Sequence, residues 1–68
     1  MKVINSRGRV LLEVRDARTL PDGRVFYSWR GDGCGGYGPR EHLERTIATI
    51  KADAPSARVI GTLPAVQP

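Results

Sequence analysis

Trp29-Arg30-Gly31-Asp32-Gly33-Cys34-Gly35-Gly36-Tyr37-Gly38-Pro39-Arg40-Glu41-His42 is the stretch whose reading decides the fold. It holds five of the chain's eight glycines and its only tryptophan, cysteine and histidine. Asp32-Gly33 has tight-turn chemistry. Glycines leave few side chains to pack, so 31–38 reads as a partly mobile connector between a strand-like run and a helix-like run.

Upstream, Arg24 to Arg30 alternates. Val25, Tyr27 and Trp29 share one face, and Arg24, Phe26, Ser28 and Arg30 the other. Before it, Pro21-Asp22-Gly23 is a strong turn, because proline presets φ, aspartate can bond back to the backbone and glycine accepts positive φ. Arg9 to Arg15 alternates too, with Val10, Leu12 and Val14 together, and Asp16 to Leu20 loses the pattern. The two runs predict an antiparallel hairpin. Lys2 to Asn5 is a short strand-like start, followed by turn residues Ser6-Arg7-Gly8.

Downstream, Pro39 suits a first helical position, with Gly38 as N-cap. Leu43, Ile47, Ile50 and Ala54 make one stripe on a 3.6-residue period. Glu41 and Arg45 are an i,i+4 pair. Pro55 stops the helix, since a residue before proline avoids the α region. The expected helix is Pro39 to Asp53. Ala57 to Leu63 is a last strand, with Gly61 fitting an edge or a bulge. Residues 1–63 read as a single domain and 64–68 as a flexible tail.

The chain has 68 residues and a net charge of +4. A chain this short buries only about 60% of the surface its unfolded form exposes, so pairing with a second copy is the expected added support. One cysteine with one histidine makes a poor zinc site, and no metal or cofactor is expected. The start turns polar too early for a signal peptide, and no run approaches a membrane span, so a cytoplasmic protein without membrane contact is expected. The positive charge attracts polyanions. The nine arginines, however, are scattered, as a GC-rich genome would also produce.

Tyr37, Leu43, Ile47, Ile50-Lys51, Ala54-Pro55, Ala57 and Val59 resemble the YegP-like family of small α+β proteins of largely uncharacterised function. Asp22-Gly23 before an aromatic strand also fits. The resemblance implies a helix leaving through alanine and proline into a closing strand, and pairing of single-repeat chains into dimers. It supplies no catalytic residues. The family has a further strand before the tyrosine. Here only Cys34, Gly35 and Gly36 separate the turn from Tyr37, so the sheet is expected to be smaller or differently paired.

Several motifs have bland readings. Gly31 to Gly36 spells G-x-G-x-x-G, but no βαβ unit surrounds it. Cys34 and His42 suggest a nucleophile and base, but a glycine-rich loop positions a thiol poorly. The amides at the helix start favour an anion, with Arg30 and Arg40 nearby, although water can satisfy them equally. Tyr27, Trp29 and Tyr37 with arginines could stack on bases, whereas Val25, Tyr27 and Trp29 align as core.

The expected fold is α+β, a small antiparallel sheet of three or four strands in ββ(β)αβ order. One helix packs its stripe on Val10, Leu12, Val14, Val25, Tyr27 and Trp29. The expected function is a non-catalytic, homodimeric protein that binds another protein, as phage-type inhibitors and accessory factors do. The alternative is a nucleic-acid-binding module, and the remote alternative a thiol-dependent enzyme using Cys34. Candidate binding residues are Arg24, Trp29, Arg30, Tyr37, Arg40 and Arg45.

Overall fold

The longest strand is the spine of the sheet. The computed structural model describes residues 1–67, with the side chains of all but Cys34 and Gln67. In chain order the elements are β1 (Lys2–Ile4), β2 (Val10–Thr19), β3 (Val25–Gly31), β4 (Cys34–Pro39), α1 (Arg40–Asp53), β5 (Arg58–Ile60) and β6 (Val66–Gln67). The sheet runs β4-β3-β2-β1-β5, every neighbour antiparallel. β6 adds to β2 in parallel, Ala17 opposite Val66. The α+β class and single helix agree with the sequence reading. The strand count does not: five antiparallel strands replace the expected three or four.

Two local features account for most of that difference. The glycine-rich segment is not a connector. Asp32-Gly33 closes a hairpin, with Gly33 at φ 76°, and β4 then pairs with β3 from Gly31–Cys34 to Phe26–Pro39. The helix begins only at Arg40, with Pro39 extended as its N-cap, so Tyr37-Gly38-Pro39 belongs to the strand. Six residues are thus available to β4, where the sequence reading counted three.

The second feature is a bulge. In β2, Val14 pairs with Trp29 but Asp16 pairs with Ser28, leaving Arg15 as an extra residue. A bulge resets the alternation of faces. Val14 and Ala17 therefore both reach the core, and the strand continues to Thr19 although its pattern breaks at Asp16. A similar irregularity opposite Val3/Ile4 makes Leu11 a second extra residue. It leaves Val10 41% exposed, outside the core where the stripe was expected to meet it.

The core lies on one face. Val3, Leu12, Val14, Ala17, Tyr27 and Trp29 come from the sheet, Leu43 from α1 and Ala57 from the loop before β5. Ile47, Ile50 and Ala54 flank Leu43 in half-buried positions, so the predicted stripe is the packing face. Leu43 is only 1% exposed, and burying a leucine contributes about 1.5–3 kcal/mol. The helix crosses β3 and β4 and leaves the β1–β5 side more open, which explains why Val59 is half-exposed on the core face. β5 is an edge strand that ends at Gly61, at φ 77°. Of the expected tail, Val66–Gln67 forms β6, and Pro68 lies outside the described residues.

The glycines of β4 make room for Trp29. A Cβ at Gly36 would lie 2.5 Å from Trp29 Cε2 and Cζ2, closer than atoms can sit. A Cβ at Gly35 would meet only the Trp29 carbonyl oxygen, at an ordinary 3.5 Å. Gly36→Ala should therefore destabilise the fold by about 1–3 kcal/mol through overpacking. Gly35→Ala should stay within about 0.5 kcal/mol of the parent. Urea unfolding followed by tryptophan fluorescence measures both.

Candidate functional site

The helix covers one face of the sheet, and the other carries the polar and aromatic side chains of five strands. Strand pairing assigns its members. One row is Ile60, Lys2, Glu13, Arg30 and Gly35; another is Asp16, Ser28 and Tyr37; a third is Arg18, Phe26 and Pro39. Paired residues share a face, and these alternate with the buried positions.

Phe26 and Tyr37 form an aromatic pair on the β3–β4 side of this face. Their rings are 5.2 Å apart at 58°, the tilted geometry that aromatic pairs favour. Tyr37 is 54% exposed, the most open large apolar residue among those described. The Arg24 guanidinium lies over the Phe26 ring, 5.3 Å from its centroid. Such a cation–π contact at an exposed site is worth about 0.5–1 kcal/mol.

The carboxylates of this face are engaged. Asp16 Oδ1 accepts a hydrogen bond from the Ser28 hydroxyl at 2.8 Å. Glu13 lies 3.6 Å from Lys2 Nζ. Asp22 accepts from the Arg24 backbone N–H at 3.1 Å and from Arg24 Nε at 2.6 Å. Among the described residues, Arg18 and Arg30 have no carboxylate within ion-pair distance. The face therefore offers, among the described residues, guanidinium groups without a carboxylate partner near an exposed aromatic ring.

Not all the candidate residues come together. Arg24, Arg30 and Tyr37 lie on the helix-free face. Trp29 is 6% exposed and belongs to the core, as its alignment with Tyr27 implied. Arg40 and Arg45 are on α1, where Arg40 pairs with Glu44 at 3.3 Å. That pair, not Glu41–Arg45, is the ion pair of the helix. The surface also includes residues outside the candidate set, Phe26 and Arg18 beside the aromatic pair and Lys2 and Arg58 at its far side. Phe26 had been assigned to the correct face, but nothing then placed Tyr37 beside it. Arg18 sits beyond the bulge, where the alternation gave no face.

The remaining motifs of the glycine-rich stretch are accounted for by packing. His42 stacks at 5.7 Å on Trp29, over Gly38, where a Cβ would meet the imidazole at 3.3 Å. The Cys34 thiol lies outside the described side chains. Among the described residues, no group of three or more His, Cys, Asp and Glu is placed to hold a metal ion. No helix among them is long and apolar enough to cross a membrane. Two shallow depressions flank the Asp32 turn. One, of about 270 Å³, is lined by Val10, Glu13, Arg30, Gly31 and Asp32. The other, of about 310 Å³, is lined by Leu11, Asp32, Ile50, Asp53 and Ala54.

No protein-family model, curated protein or solved structure matches the chain. The comparisons neither support nor contradict the resemblance to YegP-like proteins.

The Arg24 backbone N–H, and after it the Arg24 side chain, hold the Asp22 carboxyl below its ordinary pKa of 3.8. A depressed carboxyl adds stability above its unfolded pKa and loses it as pH falls through the folded one. The Asp22 contribution should accordingly be complete near neutrality and fade only in acid. Because the main cause is the backbone amide, Arg24→Ala should raise the Asp22 pKa only part of the way back. Carboxyl-detected NMR titration of the two proteins reads this directly.

Proposed function

We propose that the protein is a non-catalytic, self-pairing binding module of the cytoplasm, and that its working surface is the helix-free face of the sheet. The observation that carries the reading is the Phe26–Tyr37 pair on the β3–β4 side of that face, with the Tyr37 ring exposed and Arg18, Arg24 and Arg30 near the pair. Exposed aromatic and arginine side chains are the residues most often found to anchor interfaces. Glu13, Arg30 and Asp32 line a shallow, open depression, and the other titratable groups of the face are spread over the sheet, which suits recognition better than catalysis. A YegP-like relationship, carried by Tyr37 and the helix from Leu43 to Ala54, is part of the same proposal.

Self-pairing follows from the edge at β4. In a two-residue hairpin the hydrogen-bonded pairs alternate, so Gly31–Cys34, Trp29–Gly36 and Tyr27–Gly38 bond across the ladder. The backbone groups of Gly35, Tyr37 and Pro39 then point outward. Pro39 has no N–H to lose there, which is the position an edge proline occupies. The rest of the edge is bare backbone without a lysine or a bulge to protect it, so it can pair with another strand. Antiparallel pairing of two β4 strands keeps both helix-free faces on one side and places their tyrosines near the two-fold axis.

Sedimentation equilibrium should give a mass near twice 7.4 kDa. Gly35→Pro should reduce it to a monomer with an unchanged far-UV spectrum, because the lost N–H faces outward. A monomeric parent removes the self-pairing. For the surface, a photo-crosslinking amino acid at Arg18 should give covalent adducts in cells, while one at Thr49 on the helix should not. Adducts from Thr49 alone would refute the assignment of the face.

A further inference from the structure

We infer that the macromolecule seated on the helix-free face is a single-stranded nucleic acid, an inference that rests on this face being the working surface. The argument is one of complementary charge and shape. Lys2, Arg18, Arg24, Arg30 and Arg58 all belong to this face or its rim, by pairing register or, for Arg24, by its place over Phe26. Against them stand Glu13 and Asp16, each already engaged, and Asp22, held by Arg24. The face and its rim thus hold five of the chain's eleven basic residues and three of its seven acidic ones, a net +2 that includes Arg18 and Arg30, which have no carboxylate partner among the described residues.

The shape points the same way. A single strand presents flat bases and a phosphate backbone, and proteins take it up by stacking the bases on aromatic rings while cations track the phosphates. Tyr37 is the exposed ring. Phe26 beneath Arg24 extends the platform, since guanidinium planes also stack on bases. Arg30 lies two residues from Ser28, the partner of Tyr37, along β3, and Arg18 faces Phe26 across the ladder. The cations therefore flank the ring on two strands. A sheet face of this kind is open and gently twisted, with no projecting element of the sort that enters the major groove of a duplex. Of the exposed large apolar residues this face carries Tyr37, Val10 and Ile60, and Tyr37 is the one with a ring on which a base can stack.

The test is fluorescence anisotropy with labelled oligothymidylate and oligouridylate about twelve nucleotides long, within the range of about 4–16 nucleotides that single-strand sites span. Both probes share the recognised chemistry, and their ratio tells DNA from RNA. Binding should be measurable at low salt and should weaken with added salt. Three phosphate contacts would give a log–log slope of about −2. Tyr37→Ala should weaken binding about tenfold, and Tyr37→Phe should restore it because stacking needs the ring and not the hydroxyl. Arg30→Ala should weaken binding and flatten the salt slope by about 0.7. Arg45→Ala, on the helix, should leave it unchanged. Tyr37 and Arg30 are exposed, so these variants are expected to fold, and far-UV circular dichroism checks it. No binding to either probe in low salt would overturn the inference. So would equal affinity for a duplex of the same length, or a loss in Arg45→Ala equal to that in Arg30→Ala. Protein adducts from the crosslinker at Arg18, without bound oligonucleotide, would overturn it as well while leaving the working surface where it is.

Discussion

The Trp29 ring occupies the space that a side chain at position 36 would fill, and the arrangement of the sheet follows from that contact. Trp29 is the largest apolar side chain available to a very short chain, and it must be covered. Its cover is β4, approaching closely enough to leave no room for a Cβ at Gly36. The next core-facing position along the strand is Gly38, and there the first turn of α1 settles with His42 against the ring. Glycine normally weakens a strand, because it costs backbone entropy and packs nothing. Here the strand is restored by what lies over it. The tryptophan and the histidine supply the packing surface that β4 does not have.

The same contact explains which parts of the fold could be read from residue order. Helix α1 is set by a periodic stripe and by two prolines, and its observed bounds lie within one residue of the expected ones. The β2–β3 hairpin is set by alternation around Pro21-Asp22-Gly23. β4 is different in kind, since its conformation is determined by its neighbour. Five glycines among nine residues look like a flexible loop unless the bulk of Trp29 is read as a reason for them. The turn at Asp32-Gly33 already contained the answer. Folding the chain back at that turn places Gly36 opposite Trp29 and Tyr37 opposite Ser28 without further assumption. The bulge at Arg15 hid the second half of β2 for a different reason. An extra residue shifts the alternation by one, and a pattern that has shifted looks like a pattern that has ended.

The proposed binding surface is half legible in the sequence for the same cause. Alternation assigned Phe26, Ser28 and Arg30 to the face away from Tyr27 and Trp29, and that assignment agrees with the strand pairing. Their aromatic neighbour is on β4, so Tyr37 could join them only once β4 was a strand. Arg18 needed the bulge. Arg40 and Arg45 were grouped with Arg24 and Arg30 because charge along a chain carries no information about faces. The sheet separates them, leaving the helix arginines on the opposite side of the molecule from the aromatic pair.

One structural solution therefore has two consequences. Bare glycines admit the tryptophan on the core side of β4. Because they have no side chains, they also leave the outer edge of that strand unprotected and the helix-free side low around Tyr37. A bulkier residue at position 35 would stand beside Arg30 in the adjoining row and raise the floor of the face. Different glycines carry the two effects: Gly36 is required by the Trp29 ring, whereas Gly35, which packing on Trp29 does not require, leaves open backbone beside Arg30. In a chain with so small an interior, a glycine-rich strand both completes the core and keeps low the side of the sheet that we propose as the binding surface.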